Sequence, residues 1–250
     1  MAATLKIIFT NNVSTIFIKN KESEKNIMIK GVIFDFNGTL FYDTPQQEKA
    51  WREFAWQNFR RSISDQEFKE LVHGRNTDFT LEYLADRSLS KAEVDAYVKA
   101  KETVYIDICE KDPQNTHLNS GAERLLDELK ERGLPLAIAT AAPKINVDYY
   151  IRKFNLECWF PLDKIIYNDG TIKGKPAPDF YLKAAQTLQL DSKDCLVFED
   201  AISGIQAAYN ANIGKIVAIT TTDMVEKFKH MTELCAVIDS FDNFNRSILS

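Results

Sequence analysis

Five polar residues stand at the ends of short apolar runs or in a stiffened loop: Asp35, Thr140, Glu199, Asp200 and Lys175. A carboxylate at a strand end can attack phosphorus and form an aspartyl-phosphate, which divides one hard displacement into two easier ones. Behind Asp35, the run Asn37-Gly38-Thr39 favours a tight turn whose backbone N–H groups can face phosphate oxygens. Thr140 can donate its hydroxyl to the same oxygens. Lys175 lies in Gly174-Lys175-Pro176-Ala177-Pro178-Asp179, where two prolines stiffen a loop that carries one cation. Taken singly, each has an ordinary reading: Asp35 as a turn or cap aspartate, Thr140 as a strand-end residue, Glu199-Asp200 as a solvated acidic pair, Lys175 as a surface lysine.

The elements that must position these residues are legible around them. Gly31-Val32-Ile33-Phe34 is a continuous apolar run ending at Asp35, the pattern of a strand buried on both faces of a parallel sheet. Leu136 to Ala139 ends at Thr140, Leu196 to Phe198 ends at Glu199-Asp200, and Ile216 to Ile219 ends at Thr220-Thr221-Thr222. Amphipathic helical patterns lie between them, so the order predicts a doubly wound α/β domain with a parallel sheet. Ligands of such sheets bind beyond the carboxyl ends of the strands, where Asp35, Thr140 and Asp200 fall. Ser120 with Glu123 reads as a capping box, Leu125, Leu126 and Leu129 as a buried stripe, and Gly133 as the close of that helix.

Residues 45–110 read as an all-helical insertion. Trp51, Phe54, Ala55 and Phe59 recur at helical spacing, Phe68, Leu71 and Val72 begin a second stripe, and Leu81, Tyr83 and Leu84 continue. Ser90 and Glu93 signal a further start, ahead of Val94, Tyr97 and Val98. The expected division is an N-terminal extension of unassigned role at 1–27, an α/β core from 28–44 and 111–250, and a helical domain at 45–110.

The motifs Asp35-Phe36-Asn37-Gly38-Thr39-Leu40, Thr140, Gly174-Lys175-Pro176 and Glu199-Asp200 with Gly204 resemble, in order and spacing, those of the haloacid dehalogenase superfamily. The resemblance runs from Met28 to about Thr222, and Val197 to Ala208 is similar to the β-phosphoglucomutase and sugar-phosphate phosphatase branch. It implies a Rossmann-like core with a helical cap, and Mg²⁺ as cofactor. A phosphate dianion beside three carboxylates needs cationic neutralisation, and magnesium takes hard oxygen ligands and substrate phosphate together. The implied metal ligands are the side chains of Asp35 and Asp200 and the carbonyl of Asn37, with Glu199 as a ligand or water-mediated partner. Lys175 would pair with Asp35 and the transferring phosphoryl group; Gly38, Thr39, Ala141 and Arg75 are candidate substrate contacts.

Two departures qualify the function. The branch places a second aspartate two positions after the nucleophile, as general acid and base, where this chain has Asn37. An amide cannot do that work, and its loss typically costs ~10²- to 10⁴-fold. The mutase pattern also has an arginine at the Thr77 position. The expectation is therefore a phosphatase for a small phosphorylated metabolite, sugar phosphates included. The alternatives are a β-phosphoglucomutase-like phosphotransferase and a phosphate-binding protein with little turnover.

Composition narrows the partners. The 250 residues carry a net charge of −5, without the basic face that nucleic acid or an anionic membrane requires. No apolar stretch approaches the ~20 residues of a membrane span. The patch from Ile7 to Ile18 is broken by Asn11 and Asn12 and lacks a signal-peptide pattern. Cys109, Cys158, Cys195 and Cys235 are widely spaced, which fits reduced thiols in a cytoplasmic setting. The sequence leaves the oligomeric state open, with a monomer as the default expectation.

Overall fold

A computed structural model of the protein describes residues 5–10, 13–18, 28–72, 77–220, 228 and 231–250. The chain divides into two compact units, one of Met1–Tyr42 with Leu118–Ser250 and one of Asp43–His117.

The first unit is built on an eight-stranded sheet. Its strands are β1 (Leu5–Thr10), β2 (Val13–Ile18), β3 (Gly31–Phe34), β4 (Leu136–Pro143), β5 (Ile165–Asn168), β6 (Cys195–Glu199), β7 (Lys215–Ile219) and β8 (Ala236–Ile238). Their order is β1-β2-β8-β7-β6-β3-β4-β5. From β8 to β5 every pairing is parallel, whereas β1 and β2 pair antiparallel with each other and β2 antiparallel with β8. The chain runs outward from β3 through β4 to β5, then returns to β6 and runs the other way to β7 and β8. The junction of β3 with β6 is thus the topological switch point, where an open α/β sheet forms a crevice.

All four residues of β3 and all five of β6 are buried, which is why both read as apolar runs rather than alternating ones. Phe34 and Phe198 stack between these strands, with ring centroids 5.1 Å apart. Cys195 opens β6 in the core, where burial pushes its thiol up to about 12 and makes it inert. Within the insertion, the second unit contains α1 (Thr44–Phe59), α2 (Asp65–Glu67) running into a π-helical turn at Phe68–Val72, α3 (Thr77–Ala85) and α4 (Lys91–Lys111). Trp51, Phe54, Ala55, Phe68, Val72, Leu81 and Leu84 form its core. The Ser90–Glu93 capping box is present at the start of α4, and a second one, Ser64 with Glu67, starts α2.

Four further helices belong to the first unit: α5 (Ala122–Glu131), α6 (Lys144–Lys153), α7 (Asp179–Thr187) and α8 (Ile202–Asn210). Leu125, Leu126 and Leu129 of α5 are buried as the stripe predicts. The capping box expected from Ser120 and Glu123 does not form. Gly121 is the cap residue, with φ of 76° and no side-chain bond. The Ser120 hydroxyl instead donates to Asp242 Oδ2 at 2.8 Å. A Cβ on Gly121 would meet Asp242 Oδ1 at 2.4 Å, so the tight approach of the C-terminal segment displaces the local cap.

Candidate active site

Asp35 follows β3 directly, and its N–H donates to the Phe198 carbonyl of β6 at 3.0 Å. The chain then turns back: Gly38 N–H donates to the Phe41 carbonyl at 2.7 Å, and Phe41 N–H to the Phe36 carbonyl at 2.9 Å. Asn119 clamps the turn from outside, its backbone N–H on the Leu40 carbonyl and its side chain on that of Thr39. Beneath it, Phe36 and Phe41 pack with Tyr150 of α6 and with Phe154, the residue that follows the helix. Two turn residues expected near the substrate are engaged within the protein. The Gly38 N–H is committed within the turn, and Thr39 is fully buried with its hydroxyl donated to Asp200 Oδ1 at 3.1 Å. Gly38 has φ of +84°, and a Cβ there would lie 2.1 Å from Asp200 Oδ2. Its absence of a side chain lets Asp200 approach the loop.

Glu199 and Asp200 lie at and just beyond the end of β6, opposite Asp35. Glu199 is buried, and its two oxygens accept four hydrogen bonds: from Lys175 Nζ and the Tyr181 hydroxyl on Oε1, and from the N–H groups of Asp200 and Ala201 on Oε2. A Cβ at Gly204 would fall 1.6 Å from Oε1. The glycine in the first turn of α8 therefore makes room for this carboxylate. Lys175 Nζ donates to Asp35 Oδ1 and Glu199 Oε1, each at 2.6 Å. Burial opposes its charge, but the two carboxylates prevail and hold the ammonium well above its ordinary range. Burial pushes the Tyr181 hydroxyl well up, and the charge of Glu199 adds to this, so Tyr181 stays a neutral donor.

Ligand oxygens of Asp35, Glu199 and Asp200 all lie within 4.8 Å of one another. One lysine does not balance three carboxylates. Burial and then the charges of Glu199 and Asp35 push the Asp200 carboxyl well above its ordinary range. An all-oxygen donor set with excess negative charge fits a hard divalent cation.

Thr140, buried at the bend of β4, donates to Asn37 Oδ1 at 3.3 Å and accepts from the Ala142 N–H at 3.1 Å. Asn37 Nδ2 donates to the Tyr150 hydroxyl at 2.7 Å. Ala141 is exposed. Arg75 lies outside the described residues, while Thr77 opens α3. The structure thus brings Asp35, Asn37, Lys175, Thr140, Glu199 and Asp200 to one end of the sheet. Sequence reasoning missed Tyr181, Tyr150 and Asn119. Tyr181 had a signal, since it follows the Lys175 loop by less than two helical turns; the other two had none.

The fold and this cluster define an α/β protein with an acidic, cation-suited site at the carboxyl ends of its parallel strands. The haloacid dehalogenase-like hydrolase family model matches residues 29–212, and the chain belongs to that family. Protein CbbY of Rhodobacter capsulatus is 33% identical over 192 residues, covering 74% of this chain and 83% of its own length. Hexitol phosphatase A of Escherichia coli is 28% identical, with coverage of 78% and 85%. A solved structure of a haloacid dehalogenase hydrolase of family IA, variant 3, from Entamoeba histolytica superposes with a TM-score of 0.83. It is 36% identical, and the match covers 88% of this chain and 97% of that one. Another curated relative is far longer, and this chain spans 18% of it. Among the described residues, no helix is long and apolar enough to cross a membrane.

Proposed function

We propose that the protein is a magnesium-dependent phosphatase for small phosphorylated sugars, with Asp35 as the nucleophile. The observation that carries this is the buried Asp35–Lys175–Glu199 array beside Asp200 at the β3–β6 switch point. The phosphatase names of relatives such as hexitol phosphatase A support the substrate class.

Asp35 attacks phosphorus through a side-chain oxygen, the ester oxygen leaves, and water then hydrolyses the aspartyl-phosphate. Lys175 holds the Asp35 carboxylate at a fixed oxygen and opposes charge on the transferring group. Glu199, already accepting four hydrogen bonds, fixes Lys175 from behind. Asp35, Asp200 and the Asn37 carbonyl would hold the metal. Bound there, magnesium would offset the carboxylates and draw phosphate oxygens toward Asp35.

Asn37 sets the limit. Its amide cannot protonate a leaving group, so phosphates with good leaving groups turn over faster than alkyl phosphates. The same residue favours one competing reading, a phosphate-binding protein with little turnover. A screen of sugar, acyl and aryl phosphates with and without Mg²⁺ separates the two: the expected result is metal-dependent phosphate release that Asp35→Asn abolishes. Release undiminished in strong chelator, or no release from any class, overturns the proposal.

A further inference from the structure

Tyr150 is a buried residue of α6 whose ring stacks on Phe36, with centroids 4.4 Å apart and planes 22° from parallel. That stacking fixes where its hydroxyl lies. The hydroxyl accepts from Asn37 Nδ2 at 2.7 Å, while Thr140 donates to Oδ1 of the same amide at 3.3 Å. Thr140 Oγ1 in turn accepts from the Ala142 N–H at 3.1 Å. The side chain at position 37 is therefore suspended between β4 and α6, two residues from the candidate nucleophile. The bond to Tyr150 is the shorter of the two. A side-chain amide has a donor end and an acceptor end, so its partners decide which way it points.

We propose that Tyr150 is a positioning residue of the active site, acting through Asn37. It holds the amide across from α6 to Thr140, and so fixes the direction of the Thr140 hydroxyl and the course of the loop from Asp35 to Gly38. The ring carries the packing and the hydroxyl carries the positioning, so Tyr150→Phe separates them.

Two measurements on the full chain test this. In the ¹⁵N-labelled protein without metal or phosphate, the Asn37 side-chain amide signals are identified by their loss in Asn37→Ala. Tyr150→Phe should shift them and speed their exchange with water. The second measurement is a double-mutant cycle on p-nitrophenyl phosphate with Mg²⁺, which rests on the phosphatase reading. Tyr150→Phe should lower kcat about three- to tenfold, the worth of one neutral hydrogen bond, with a smaller change in KM. In the Asn37→Ala background the same change should have no further effect. An equal fall in both backgrounds marks Tyr150 as merely structural and overturns the proposal, as do unmoved amide signals. If the wild type releases no phosphate, the phosphatase reading fails, and the amide signals alone decide the positioning role.

Discussion

On the proposed phosphatase reading, Asn37 stands where a proton carrier would serve the leaving group, yet its surroundings do not reject a carboxylate. Thr140 already donates a hydroxyl to its oxygen end, and the Tyr150 hydroxyl at the other end can turn from acceptor to donor. Asn37→Asp should therefore fold and raise alkyl-phosphate turnover by about 10²-fold. Acyl and aryl phosphates should gain less, because their leaving groups need little protonation. Steady-state rates on a paired alkyl and aryl series check this, and an unchanged alkyl rate in a folded, metal-binding variant would show that residue 37 does not limit the chemistry. Much of the constellation was legible because Asp35, Thr140, Glu199 and Asp200 each end an apolar strand. Tyr150 was not, since a buried tyrosine on α6 is indistinguishable in sequence from ordinary core until its hydroxyl partner, 113 residues away, is located.

Elements place these residues through close approaches that tolerate little change. Gly204 sits in the first turn of α8, and a methyl group there would collide with the Glu199 carboxylate that anchors Lys175. Gly204→Ala should cost about 1–3 kcal/mol of stability, as overpacking does, and reduce turnover more than Ala→Gly changes elsewhere on α8. Thermal unfolding and kcat measured together test it; wild-type behaviour in both would show that Glu199 relocates freely. In the second unit, Tyr83 donates to Glu67 Oε1 at 2.5 Å, with Arg61 at 2.9 Å from the same oxygen. The Tyr83 hydroxyl, against the pull of burial and helped by the Ser64 N–H and Arg61, holds the Glu67 carboxyl below its ordinary 4.5. A depressed carboxyl contributes stability that is full above the ordinary value and lost as pH falls through the lowered one. Tyr83→Phe should then remove about 1 kcal/mol at neutral pH and little in strong acid. A loss independent of pH would assign the effect to packing. Continuous apolar runs and helical stripes were readable for the same local reasons, whereas β5, with only two buried residues, and β8, of three residues, carry too short an apolar run to signal themselves. The Ser120 cap failed because its partner, Asp242, is remote in sequence.

For the molecule as a whole, the site is a local deficit that the rest of the fold sustains. Three carboxylates converge at one end of the sheet with one lysine between two of them, and like charges this close and this buried oppose folding. Removing one should relieve the metal-free protein: Asp200→Asn keeps the shape, retains an oxygen for the Thr39 hydroxyl, and deletes a charge that burial and its neighbours disfavour. It should also delete a ligand. Without divalent cation, Asp200→Asn is therefore expected to unfold at a higher temperature than the wild type. With Mg²⁺ the order should reverse, because a cation that binds only the folded state stabilises by RT ln(1 + [L]/Kd), about 2.7 kcal/mol at a hundredfold excess over Kd. For a chain of this length that is a rise of several degrees, and the variant should show little of it. The measurement is thermal unfolding of both proteins in chelator and across a Mg²⁺ titration, with Ca²⁺ as a size control. An equal Mg²⁺ response in the two proteins would remove Asp200 from the metal site. A variant less stable than wild type even in chelator would show that the carboxylate is held by compensating bonds rather than waiting for a cation.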